Sequence, residues 1–561
     1  MSGAFSVVDH GQGPSRAPVV VHDVSGKGGD SEKRDDRAAW RAAWRAKLDT
    51  VLATPASSYV DSARRLSALV RTGLLRFEDL MESPAKFFEA HRLLARAGFD
   101  QGPGFSIRFT VQYNLFAGTV LELGGPAHLR QLKQMQRDGT LGCFALTERL
   151  AGVNSGLVVR TTAEWIPDAR RADGGRFLLR TPDAGARKNW ISQGLVAAKA
   201  VVVADLLVDA KSVGPHAFLV TLRDSRGRPS KGVTLEDMGE KTTGNDLDNA
   251  SVAFRDVWLE RAALLDKHCE VFSAPTVSSS LNRKQGRTAR GGPLRGVYVE
   301  REGGAPRGKR RLTNMDRIGQ RLFTGRVAVA QGAHEFRALL FRRTRGATDA
   351  KPCWVPADKT KPASERASTQ HRSLSDVPQL RKLYAEEERR SSRTRAFLEA
   401  VESALCASLA ARRRPEASLV EAVAAAKVRA VDEAIEMTHR LRQEVGSYAL
   451  MAGTGFEHTD FLQCCKFAEG DSRVLMMKMA RDRVGALAGG RGGGENQAAS
   501  IFASRREAEA AAALAEALKA AASRGSSPAE AWDEVSESAY ALAAIAIEEI
   551  VQKWLEPRAK L

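Results

Sequence analysis

From Ala38 to about Arg137 the apolar residues recur at the 3.6-residue helical period, with Trp40 and Trp44 four positions apart on one face. Gly102-Pro103-Gly104 and Gly124-Gly125-Pro126 interrupt the period with residues that stop helices. After Gly142 the texture changes to short β-branched runs: Leu157-Val158-Val159, Ala200 to Val203, Ala217 to Thr221, and Ser251-Val252-Ala253-Phe254. Turn residues such as Asp173-Gly174-Gly175 and Arg226-Gly227-Arg228-Pro229 separate them, which predicts strands. Helical periodicity returns over 313–345, 376–412, 416–450 and 471–487. The predicted fold class is α+β multidomain: an N-terminal helical domain (38–140), a central β-barrel-like domain (141–272) and a C-terminal helical bundle (312–487). Around these lie a flexible arm (1–37), a basic loop (273–311), a Gly-rich linker (488–498) and closing Ala-rich helices (499–561).

A chain of 561 residues, 43% hydrophobic, is long enough for roughly three or four domains. It has no uninterrupted apolar run of the roughly 18 residues a membrane helix needs. Six cysteines without a CxxC spacing, one pair adjacent (Cys464, Cys465), fit neither a disulfide framework nor a zinc site, and metal ligation is not expected. That usage points to a reducing compartment. Asp9, Asp23 and Asp30 argue against an acid-poor transit peptide, and no cleaved leader is expected. The net charge of +18 concentrates at 283–311 and 342–351, but no nucleic-acid motif accompanies it. A solvated or anion-attracting face is the expected reading, and nucleic acid is not the expected partner.

Four stretches carry candidate chemistry in the first half. Asn114-Leu115-Phe116-Ala117-Gly118-Thr119 is followed by Asp138-Gly139-Thr140-Leu141-Gly142-Cys143-Phe144-Ala145-Leu146-Thr147-Glu148. Farther on come Lys188-Asn189-Trp190-Ile191-Ser192-Gln193-Gly194 and Gly214-Pro215-His216-Ala217-Phe218 with Arg223-Asp224. In the helical second half, Gly325-Arg326-Val327-Ala328 precedes an Arg-rich stretch with Arg342, Arg343 and Arg345. Gly453-Thr454-Gly455-Phe456 and Phe467-Ala468-Glu469-Gly470-Asp471-Ser472 follow.

Together these motifs resemble the acyl-CoA dehydrogenase and oxidase superfamily, in its oxidase branch, over about residues 38–485. The resemblance implies FAD as cofactor. It places Leu146 and Thr147 at the pyrimidine edge of the flavin, Trp190 against the ring, and Ser192 near N5 with Gly194 beside it. Donors there suit the negative charge of a reduced flavin. It also implies that one of Arg342, Arg343 and Arg345, with Arg345 at the matching spacing from Phe341, reaches the FAD pyrophosphate of a partner subunit, where a guanidinium fork bonds two oxygens, and that Gly453 and Thr454 help to hold the cofactor; which arginine does so is left open. Asn154 and Gly470 are the implied substrate contacts. Glu469 matches the catalytic glutamate. A thioester α-proton is weakly acidic, so its removal needs a nearby carboxylate whose pKa burial has raised, and donors on the carbonyl oxygen. His216 reads as a structural hydrogen-bonded residue.

The expected activity is α,β-desaturation of an acyl-CoA to the trans-2-enoyl-CoA, with electrons passed to O2 to give H2O2. A homodimer that completes the nucleotide sites is implied by the same resemblance. The terminal Ala559-Lys560-Leu561 is a variant of the Ser-Lys-Leu address, so a peroxisomal import receptor and a peroxisomal location are expected. Two alternatives stay open: a dehydrogenase that reduces an electron-transfer flavoprotein, and a basic DNA-associated relative with little turnover. Acyl chain length and CoA contacts are not assigned by the motifs.

Overall fold

A computed structural model describes residues 30–556 apart from 102, 153, 154, 157, 276–293, 302–313, 355–359, 361–370 and 490–501. The basic stretch 276–293, Asn154, most of the Gly-rich linker and the terminal tripeptide therefore lie outside the described residues.

The N-terminal layer contains α1 (Asp30–Val51), α2 (Tyr59–Arg71), α3 (Asp79–Glu82), α4 (Pro84–Ala97) and α5 (Gly104–Thr110). The last runs through a π-helical stretch, Val111–Ala117, into α6 (Gly118–Leu123), and α7 (Pro126–Asp138) follows. Helix α1 begins at Asp30, within the segment expected to be a loose arm. It is tied down because Arg37 and Arg41 both reach Glu89 of α4, at 2.6 and 2.8 Å. Trp40 and Trp44 do share a face: their rings stack at 6.2 Å, and Trp44 is fully buried.

The β-domain contains β1 (Gly142–Ala145), β2 (Thr162–Pro167), β3 (Gly175–Arg180), β4 (Lys188–Ser192), β5 (Lys199–Val208), β6 (Lys211–Thr221), β7 (Val233–Asp237), β8 (Asn249–Phe254) and β9 (Val257–Glu260). A hairpin-like pair, β10 (Cys269–Pro275) and β11 (Leu294–Glu300), is added to them. Strand β5 organises the larger sheet. It pairs in parallel with β1 from Gly142↔Lys199 and then with β2 from Thr162↔Asp205, while β6 runs antiparallel beside it. The smaller sheet has the order β4-β8-β7. Val202, Phe218 and Phe177 from one sheet and Ile191, Val252 and Phe254 from the other share one core. Two expectations fail here. Val158-Val159 is not a strand, since β2 starts only at Thr162, and β11 lies inside the segment read as a loop. Its Val297-Tyr298-Val299 run finds a ladder on β10, and Tyr298 packs on His216.

The C-terminal half is helical: α8 (Asn314–Ala350), α9 (Pro378–Ala410), α10 (Ala417–Val445), α11 (Phe461–Phe467), α12 (Ser472–Gly489), α13 (Arg505–Ser523), α14 (Pro528–Glu534) and α15 (Ser536–Leu555). Ala328 and Ala330 of α8 and Ala422, Ala425 and Ala426 of α10 are buried with Phe109, Tyr113 and Phe116 in one core. Small residues allow these helices to approach closely, which wedges the α5 and π segment between the sheets and α8. All six cysteines are free, and no helix among the described residues is long and apolar enough to cross a membrane.

Candidate active site

Glu469 lies in the turn between α11 and α12, with φ at +57° and Gly470 following at +97°. Glycine tolerates this left-handed backbone, whereas a glutamate there is strained and must be held by its surroundings. Two buried cations hold it. Arg326 Nε donates to the Glu469 carbonyl at 3.0 Å. Lys427 Nζ donates to the carbonyls of Lys466 (2.6 Å) and Gly470 (2.9 Å) and to Ser472 Oγ (3.0 Å).

The carboxyl packs on Gly325 of α8, where a Cβ would lie 2.1 Å from Glu469 Cδ. Only glycine leaves room for it. Oε2 is buried without a hydrogen-bond partner. Burial pushes the carboxyl up to about 8, against the opposing pull of Arg326, Asn114 and Lys427. The side chain is thus a carboxyl held largely protonated near neutral pH and ionised as pH rises past 8, with Oε2 left without a partner.

The second group of expected residues lies at β1 and β4. Asn189 N donates to Thr147 O at 2.9 Å, and Lys188 Nζ donates to Leu146 O at 3.1 Å. Lys188 also pairs with Glu148 at 2.9 Å, both side chains fully buried, and burial lowers the lysine to about 8. The Glu148 oxygens accept in addition from the backbone N–H of Arg160 and Thr161 at 2.9–3.0 Å. This ion pair fastens the Leu146-Thr147 and Trp190-Ser192 segments together. Trp190 has φ at +57° and is 57% exposed, and Thr147 beside it is exposed as well. Asn249 Nδ2 donates to Ser192 Oγ at 3.1 Å. Gly194 is needed for packing, because a Cβ would lie 2.7 Å from Ala250 Cβ.

The π-helical stretch joins the two groups. Gln112 Oε1 accepts from Gly142 N at 2.8 Å and from Gln193 Nε2 at 3.0 Å, and Gln193 also donates to Gly142 O at 2.7 Å. Phe116 packs so closely on Gly142 that a Cβ there would lie 2.4 Å from its ring. Two residues after Gln112, Asn114 bonds Arg321 O at 3.1 Å and stands beside Glu469. One π segment therefore positions the strand motif and the carboxyl together, the kind of place where π-helical turns are often found. A buried Arg108–Asp248 pair at 2.9 Å supports it.

The roles of Gln112, Gln193, Arg108, Asp248, Arg326, Lys427 and Gly325 were not read from the sequence. The signal for some was present: Gln112 and Asn114 are polar residues set among Phe109, Val111, Tyr113 and Phe116. Lys427, inside Ala-Ala-Ala-Lys-Val, gave a similar one.

Arg345, Gly453 and Thr454 are elsewhere. Arg345 is exposed over the Tyr384 ring, 5.4 Å from its centre. It lies twenty residues along α8 from Gly325, or ~30 Å at the helical rise. Gly453 O accepts from Arg343 Nη1 at 3.1 Å, and buried Thr454 bonds Met451 O at 2.8 Å. Within one chain these three do not meet Glu469.

The donor set fits a flavin. A tryptophan ring held with a bare face on strained backbone beside the exposed Thr147 offers a flat apolar surface with polar groups at one edge, which suits a planar heterocycle with carbonyls along its rim.

No protein-family model matches the chain. It is 32% identical over 256 residues to peroxisomal acyl-coenzyme A oxidase 2 of Arabidopsis thaliana, an alignment covering 42% of this chain and 35% of that protein. The matched region thus spans about a third of that relative's length. The solved structure of acyl-CoA oxidase-2 of Caenorhabditis elegans, bound with FAD, ascaroside-CoA and ATP, superposes with a TM-score of 0.64 at 18% identity, over 95% of this chain and 80% of that one. Acyl-CoA oxidase 3 of Yarrowia lipolytica gives 0.63 at 20% identity, over 92% and 75%.

Proposed function

We propose that this chain, which has the acyl-CoA dehydrogenase and oxidase fold, is an FAD-dependent acyl-CoA oxidase with Glu469 as its catalytic base. The observation that carries the reading is the Glu469 carboxyl: buried, raised to about 8, left with an unpartnered oxygen, and tied through Gln112 and Asn114 to the Leu146-Thr147 and Trp190-Ser192 segments.

When bound, FAD would supply the two-electron acceptor for the oxidation, with O2 as the terminal oxidant. The chain's own residues do the rest. Glu469 takes the α-proton of the thioester, and its raised pKa brings it closer to that of the activated carbon acid. Arg326 and Lys427 keep the turn fixed, so that the backbone N–H of Glu469 and the Gly470 segment face the thioester carbonyl as charge develops there. Trp190 and Thr147 would hold the cofactor ring, Leu146 and Ser192 would lie at its edge, and Gly194 keeps β4 packed on β8. Asn154 is the further substrate contact. Arg345, with Gly453 and Thr454, contacts the FAD of a second subunit, which accounts for their distance from Glu469 and implies a homodimer. The partners are then an acyl-CoA, O2, the second subunit and an import receptor that reads Ala559-Lys560-Leu561, and the location is the peroxisome.

The test is direct. The FAD-loaded protein, mixed with an acyl-CoA in air-saturated buffer, is expected to release H2O2 and the 2-enoyl-CoA in equal amounts. Flavin that is reduced and stays reduced in air, with no peroxide, would instead identify a dehydrogenase.

A further inference from the structure

Arg108 and Arg337 are buried arginines with carboxylate partners, Asp248 at 2.9 Å and Glu433 at 3.1 Å. Arg326 is set into the fold on different terms. Its Nε donates to the Glu469 carbonyl at 3.0 Å, and among the described residues Nη1 and Nη2 have no hydrogen-bond or ion-pair partner. Burial lowers the guanidinium only to about 10, so it is charged at neutral pH, whereas Glu469, the carboxyl that attracts it, is largely protonated there. A desolvated cation without a counter-charge costs free energy. Clamping one backbone carbonyl does not require that cost, since a neutral amide could donate the same bond.

The free edge of the guanidinium is open. Phe323, Arg326, Glu469 and Gly470 are all partly exposed where α8 meets the turn between α11 and α12, and neither Nη nitrogen is enclosed. The group is also held in place. The Phe323 ring centre lies 5.6 Å from Arg326 Cζ, and a Cβ on Gly470 would lie 3.2 Å from Nη2, 3.6 Å from Nε and 3.9 Å from Cζ. The fork therefore rests against Gly470, on the segment that faces the thioester carbonyl in the reading above.

We propose that Arg326 is a catalytic residue whose Nη groups donate to the thioester oxygen as the enolate forms. When Glu469 takes the α-proton, the C–H electron pair becomes the Cα–C double bond and the carbonyl π pair moves onto oxygen. The guanidinium meets the new charge there, with no reorganisation needed. The inference rests on the oxidase reading, which places the thioester carbonyl at Glu469 and Gly470.

The test uses the FAD-loaded full chain carrying Glu469→Gln, so that no effect passes through the base, with 3-ketooctanoyl-CoA as probe. The methylene between its two carbonyls enolises with its own near-ultraviolet band, and its Cβ has no hydrogen to give up as hydride. Spectral titration reads the pH at which the bound probe enolises. Adding Arg326→Gln should raise that midpoint by ~2 pH units, a ~100-fold loss of enolate at fixed pH, as for one lost oxyanion donor. Adding Arg326→Lys, which keeps the charge but not the fork, should raise it by ~1 unit, and is the deciding variant if Arg326→Gln does not retain FAD. Adding Lys427→Met, which frees the same turn without removing a donor to the oxygen, should move it by less than ~0.5 unit. An unchanged midpoint in the arginine variants, or an equal rise in Lys427→Met, would overturn the proposal and leave Arg326 as a clamp on the turn. Failure of the Glu469→Gln parent to bind the probe would instead contradict the oxidase reading, and this inference with it.

Discussion

Two glutamates with buried carboxyls help to build the candidate site, and they are buried in opposite ways. Glu148 is completely satisfied: Lys188 neutralises it, and the N–H groups of Arg160 and Thr161 fill its remaining lone pairs. Glu469 has cations nearby, but Arg326 and Lys427 spend their short bonds on backbone carbonyls of the turn rather than on the carboxyl. One oxygen is left bare and the proton is held up to about 8. Burial alone does not separate a structural carboxylate from a catalytic one. The partner set does: a filled shell fixes strands in place, and an open shell leaves the group free to accept a proton.

The contrast is sharpest under substitution. Glu469→Gln should lower kcat for peroxide release by ~10^3-fold or more while FAD and acyl-CoA still bind. It should not destabilise the fold. A carboxyl whose folded pKa is raised from 4.5 to about 8 contributes stability that is full below 4.5 and is lost as pH rises through 8. The Gln variant should therefore melt higher than the parent at pH 8–9. Glu148→Ala should do the reverse, costing ~3–5 kcal/mol in denaturant unfolding because Lys188 is left buried and unpaired. If the stability effects came out exchanged, the contrast between the two glutamates would be wrong.

Smaller changes test how the open carboxyl is held. Gly325→Ala places a methyl 2.1 Å from Glu469 Cδ and should cut kcat by ~10^2-fold, whereas Gly319→Ala on the same helix, with nothing within 4 Å, should leave it unchanged. Lys427→Met removes the clamp on the turn and should lower kcat by ~10-fold with little change in KM. The mildest perturbation is pH. Since Glu469 must be ionised to act, kcat/KM should climb with pH along a limb centred near 8, and a flat profile from pH 6 to 9 would mean another group acts as the base.

Much of this was legible in the sequence, because periodicity and short motifs are local. The four long helices of the bundle fall within a few residues of their predicted limits, and Leu146, Thr147, Trp190, Ser192 and Glu469 lie in contiguous motifs. What was not legible depends on contacts between residues far apart in the chain. The Glu469 carboxyl meets Gly325 across 144 positions, and Gln112 meets Gln193 across 81. Strand β11 was hidden because its ladder is on β10, on the far side of an Arg- and Gly-rich stretch. Helix α1 was started late because its anchor, Glu89, is on α4. The π geometry at Val111–Ala117 leaves no mark in hydrophobic period, since apolar residues surround Gln112 and Asn114 on both sides.

The central claim is that Glu469 removes the α-proton. Its most direct test is anaerobic stopped-flow mixing of the FAD-loaded protein with an acyl-CoA, following loss of the flavin's yellow absorbance in a single turnover. The wild type should bleach, and Glu469→Gln should bind the acyl-CoA yet stay yellow. Bleaching of Glu469→Gln at a rate close to that of the wild type would contradict the assignment.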